Sequence, residues 1–71
     1  MEEQKNLMNG LLDEILRVKD IIRVYKGLPK NVGNIAIDLM EISIEQAKYA
    51  ILNGDVVDMI KSYNDLKTYE L

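Results

Sequence analysis

Residues 8–25, MNGLLDEILRVKDIIRVY, decide the fold: Met8, Leu11, Ile15, Val18, Ile22 and Tyr25 recur at alternating steps of three and four. An α-helix turns once in 3.6 residues, so this spacing draws one continuous apolar stripe that other surface must cover. Residues 37–51, IDLMEISIEQAKYAI, repeat the pattern through Ile37, Met40, Ile44, Ala47 and Ile51. Two such helices joined by a short break predict an antiparallel hairpin.

Gly27-Leu28-Pro29 supplies the break. Gly27 suits a left-handed C′ position, and Pro29 suits the first turn of a following helix. Asn34, preceded by Gly33, is a rival start for that helix. Asn53-Gly54 closes it, and Asp55 opens a shorter third helix as N-cap, with Asp58 in its first turn. Val56, Met59, Ile60, Tyr63 and Leu66 form the third apolar stripe. The expected helices cover about residues 3–26, 31–52 and 55–69, in a single all-α domain over residues 1–71. Gly10 is read as the fraying start of the first helix. No long alternating segment offers a strand.

The chain of 71 residues has no cysteine and no histidine. A domain of this size buries only about 60% of the surface its unfolded form exposes, and neither disulfides nor a zinc site can reinforce it. The apolar stripes are also wider than one hairpin needs. Leu7, Leu12, Leu16, Ile21 and Val24 lie off the first seam, and Ile35, Leu39, Ile42 and Leu52 off the second. Soluble monomers avoid exposing so much contiguous apolar surface. The expectation is therefore a homo-oligomeric helical bundle, at least a dimer, with Met8, Leu11, Ile15, Val18, Ile22, Ile37, Met40, Ile44 and Ile51 at its interface.

Charge is distributed unevenly: residues 1–16 carry −3, residues 17–30 carry +4 and residues 31–71 carry −4, for a net −3. The acidic total disfavours duplex DNA. The N-terminus is acidic rather than basic, and uncharged runs fall far short of the ~20 residues that span a bilayer. A cytoplasmic location without membrane contact is expected.

Little material serves catalysis. Without His or Cys the common general base and thiol nucleophile are missing, and Ser43 and Ser62 have no base pattern beside them. Asp38, Glu41 and Glu45 read as a solvated acidic face rather than a Mg²⁺ site, because bundle-type metal centres add histidine. No enzyme activity, cofactor or metal is expected. The constellation open to a ligand is the basic turn. Arg17, Arg23, Lys26 and Lys30 could charge-pair a phosphate, Tyr25 could stack on a base, and Asn31 and Asn34 could donate amides. Its plainer reading is dipole compensation at a helix end, with Tyr25 completing the seam. Tyr63 reads as core or oligomer contact, and Tyr49 as part of a partner surface.

Met8-Asn9 opening the long helix, then Ile35-Ala36-Ile37, Gln46-Ala47 and Ala50 along the second, resemble the small all-helical sponges that phages use against bacterial cyclic-oligonucleotide immunity. The resemblance covers about residues 8–52. It implies a non-catalytic oligomer that sequesters cyclic di- or trinucleotides in pockets between subunits. The chain departs from that pattern by lacking an aromatic residue at the opening of the second helix and by adding a third helix, so no family binding residue is carried over.

The leading expectation is a non-enzymatic, oligomeric helical binding protein, in the resemblance's terms a phage or mobile-element inhibitor that sequesters a cyclic nucleotide signal. The alternative is a small protein–protein module that antagonises or adapts a host protein through exposed apolar helix surface. A hairpin dimer that binds structured RNA through the basic turn ranks third.

Overall fold

The computed structural model describes residues 2–29 and 33–71. Among them are three α-helices and no strand: α1 (Glu2–Lys26), α2 (Asn34–Asn53) and α3 (Val56–Lys67). Each helix packs on the other two, in a body of 45 × 16 × 15 Å. The long dimension follows from α1, whose 25 residues at 1.5 Å apiece span about 37 Å.

The core explains why both seams have helical spacing. Leu11, Ile15, Val18 and Ile22 of α1 meet Ile37, Met40, Ile44 and Ala47 of α2, and Met59 and Leu66 of α3 close the third side. The interface expectation is corrected here. Leu11, Ile15, Val18, Ile22, Ile37, Met40 and Ile44 are buried inside one chain, and Met8 and Ile51 are half-buried. A third helix lying along both partners covers the seams without a second copy. Ile21, expected to be surplus, is buried as well.

The link from α1 to α2 also differs from expectation. Gly27 is not left-handed. The last turn of α1 tightens instead, with Gly27 N–H donating to Val24 O and Leu28 N–H to Tyr25 O, both at 3.1 Å. Gly33 takes the left-handed conformation, with φ of 82°. It is the N-cap of α2, and its carbonyl accepts the first intrahelical bond from Ile37 N–H at 2.9 Å. Hence α2 begins at Asn34 rather than near residue 31, and Pro29 lies in the connection. A Cβ on Gly33 would sit 2.9 Å from Cδ2 of Tyr25, so backbone angle and ring contact both call for glycine.

Between α2 and α3 the reading holds. Gly54 N–H donates to Ile51 O and Asp55 N–H to Ala50 O, each at 3.1 Å, the paired bonds of a Schellman ending. Asp55 then caps α3, its Oδ1 accepting from Asp58 N–H at 3.1 Å. One two-residue link thus ends one helix and starts the next.

Gly10 is not a frayed end. It lies inside α1, and a Cβ there would be 3.4 Å from Cε2 of Tyr63 on α3. The small residue marks where two helices come close. Beyond α3 the chain folds back on the bundle: Tyr69 packs against the core, and its hydroxyl lies 2.9 Å from Oγ of Ser43.

Candidate functional site

The structure divides the residues of the expected basic turn among different tasks. Arg17 is a clamp. Its Nε and Nη2 donate to the Glu14 carboxylate at 3.1–3.3 Å, while Nη2 also donates to Leu66 O at 2.9 Å and Nη1 to Tyr69 O at 2.8 Å. A helix leaves its last carbonyls without intrahelical donors and gathers negative charge there. Arg17 answers both for α3, so its guanidinium is engaged with this chain and not presented to a ligand. Tyr25 is half-buried with its ring on Gly33, as the plainer reading had it. Lys30 and Asn31 lie outside the described residues.

Arg23 and Lys26 do come together, in a setting the sequence did not suggest. With Lys19 and Ile22 they form the α1 wall of a groove of about 410 Å³, whose α2 wall is Glu41, Ile44, Glu45 and Lys48. The antiparallel register places Lys26 opposite Glu41, at 3.8 Å. Arg23 pairs with Asp20 at 3.3 Å and Lys48 with Glu45 at 3.5 Å. These pairs are exposed and worth about 0–1 kcal/mol each, so an anionic ligand could displace them. Four cations against two acids leave the groove basic, over a floor of Ile22 and Ile44. Lys19 and Lys48 were missed because they belong to opposite helices, and only the hairpin register joins them.

Asp38, Glu41 and Glu45 line the outer side of α2 with Ile42. Among the described residues no cluster of His, Cys, Asp and Glu could hold a metal ion, and no helix is long and apolar enough to cross a membrane. Ser43 and Ser62 are buried at the helix contacts, and the Oγ of Ser43 is engaged with the Tyr69 hydroxyl.

A larger feature lies on α2 opposite its core face. Ile35 is 79% exposed, Leu39 52%, Ile42 55% and Tyr49 63%. Together with Gln46 and Asn53 they alternate steps of four and three over residues 35–53, a second seam of coiled-coil period on a helix whose first seam is already covered. On spacing alone Ile35, Leu39 and Ile42 read as surplus to the inner seam; their common register with Gln46, Tyr49 and Asn53 is the signal that identifies the ridge. Flanking this seam on one side are Asp38, Glu45 and Leu52. On the other side, Ser43 and Ala50 turn into the core towards α3. A shallow recess bounded by Gln46, Tyr49, Asn53, Asp58 and Lys61 shows which α3 side chains stand beside the ridge.

No family model matches this chain, and neither a curated protein nor a solved structure shows significant similarity to it.

Proposed function

We propose that this chain is a non-enzymatic helical association module whose working surface is the outward ridge of α2. One observation carries the reading: Ile35, Leu39, Ile42 and Tyr49 are each more than half exposed on one line of a helix whose opposite face is already buried. Large apolar side chains scattered singly on a surface need no explanation, but an aligned row of them is the mark of a docking site. A ridge at heptad period selects a helix as its complement, because knobs at this spacing fit the holes of another helix. The complementary helix belongs either to a host protein that the module antagonises or adapts, or to another copy of this chain. Affinity capture with the wild type and with Ile42→Asp tests the reading. Ridge-dependent capture, lost in the variant at unchanged helicity, supports it; identical capture by both proteins rejects it.

The basic groove favours a second reading, sequestration of a phosphorylated small molecule such as a cyclic nucleotide. Lys19, Arg23, Lys26 and Lys48 would pair with phosphate oxygens, and Ile22 and Ile44 would carry the apolar part of the ligand. Arg17 and Tyr25 have no part in it. Calorimetric titration with a panel of cyclic nucleotides decides the matter. Binding that weakens in Arg23→Ala supports sequestration, and the absence of heat together with the absence of a thermal shift at millimolar ligand ends it.

A further inference from the structure

We infer that the occupant of the α2 ridge is α2 of a second copy, paired in parallel about a two-fold axis; the inference rests on the ridge being the working surface. Area comes first. The chain exposes 5163 Å², whereas a folded monomer of its mass, 8.2 kDa, exposes about 4,500 Å². The surplus of about 660 Å² is spread over an elongated body of 45 × 16 × 15 Å, and on α2 its apolar part lies on Ile35, Leu39, Ile42 and Tyr49 with the flanking Leu52. The ridge itself, residues 35–53, runs about 27 Å along the helix, and the helix is preformed, so pairing need not also order it.

Polarity then fixes the direction. In heptad terms Ile35, Ile42 and Tyr49 are d residues, and Leu39, Gln46 and Asn53 are a residues. Parallel helices place a against a and d against d, so Gln46 meets its own twin and Asn53 meets its own. Matched amides in a seam satisfy one another and set register. Antiparallel pairing places a residues beside d residues, which would leave Gln46 next to an isoleucine and its amide without a partner, a costly arrangement once buried.

Charge agrees. Asp38 and Glu45 flank the ridge on the side away from α3, whereas the α3 side carries one acid and one base, Asp58 and Lys61, and is neutral. Parallel pairing faces each copy's acidic flank towards the neutral α3 side of the other, where Lys61 is the cation open to Glu45. Antiparallel pairing would face acidic flank to acidic flank. The basic groove between α1 and α2 lies outside this contact except for Glu45 at its edge, and stays open in each copy.

The test uses the full chain, whose lack of cysteine makes any introduced thiol a single reporter. Wild type should sediment as a dimer at high micromolar concentration, and Ile42→Asp as a helical monomer. Tyr49→Cys, oxidised with copper phenanthroline, should form a disulfide-linked dimer in high yield, because parallel pairing sets position 49 against itself. A mixture of Leu39→Cys and Tyr49→Cys chains should give no excess of the mixed species. A monomeric wild type overturns the inference, and so does a dimer that survives Ile42→Asp, which would use another face. Preferential 39–49 cross-linking overturns the parallel direction and with it the proposal. Should wild type be monomeric while capture of a different protein still depends on Ile42, self-pairing fails and the ridge reading stands.

Discussion

Along α2, Ile37, Met40, Ile44 and Ala47 are covered by the chain's own helices, while Ile35, Leu39, Ile42 and Tyr49 on the opposite side face solvent. The two rows share a period; the outer one adds Gln46 and Asn53 and has no described helix of this chain lying across it. The other two helices cover one face of α2, and the chain has no fourth helix among its described residues to cover the other. Periodicity thus reports that a face wants a partner, without saying whether the partner belongs to the same chain. Substitutions that separate the stability of the inner row from the binding role of the outer one put this difference to the test.

The inner row should yield the largest effect. Met40 is 1% exposed at the centre of α2. Met40→Ala should cost about 2–5 kcal/mol, as buried large-to-small changes do, and a small domain has little more than that to lose. Urea denaturation followed by circular dichroism should find the variant largely unfolded in dilute buffer. A cooperative transition near the wild-type midpoint would mean that the core does not depend on this row.

Next comes the clamp that holds α3 in place to cover the seams. Arg17→Met keeps much of the aliphatic stem but removes the donors to Leu66 O and Tyr69 O. Hydrogen bonds from charged groups contribute about 1.5–3 kcal/mol, and the partial exposure of Arg17 places the loss at the lower end. A fall in Tm of about 10 °C is expected for a domain this small. Amide exchange should accelerate first at the end of α3. Unchanged protection there would show that α3 stays docked by packing alone.

Gly33→Ala should cost about 1–2 kcal/mol, because alanine must adopt a left-handed backbone and its Cβ would press on the Tyr25 ring at 2.9 Å. Thermal melts of Gly33→Ala and of the double variant Gly33→Ala with Tyr25→Leu separate the two causes. The ring's share should be recovered in the double variant, and the backbone's share should not.

These residues show what could be read from the sequence and what could not. Helix number, the Gly54-Asp55 link and the inner seams were legible because each depends on contacts a few residues apart. Gly27 and Gly33 were harder to tell apart, since either could take a left-handed turn; Gly33 is the one that does, with the Tyr25 ring against it. Arg17 looked like part of a basic cluster because its partners, Leu66 O and Tyr69 O, are backbone atoms that no side-chain pattern announces. Lys19 and Lys48 joined one groove only through the hairpin register. The outer seam was present in the spacing of residues 35–53, but it was masked by the stronger inner row on the same helix.

The smallest expected effect is the most discriminating one. Leu39→Gln and Ile42→Gln remove apolar side chains that are already about half exposed, and glutamine has good helix propensity. Measured at nanomolar concentration, where any ridge-mediated pair has dissociated, each should change the unfolding free energy by no more than about 0.5 kcal/mol. At high micromolar concentration the wild type should gain stability by mass action and the variants should not. A concentration-dependent gap between the melting curves, absent on dilution, is therefore the signature of a face kept for association. If Leu39→Gln instead destabilised the dilute protein as strongly as Arg17→Met, the outer row would belong to the fold, and the distinction between the two faces of α2 would disappear.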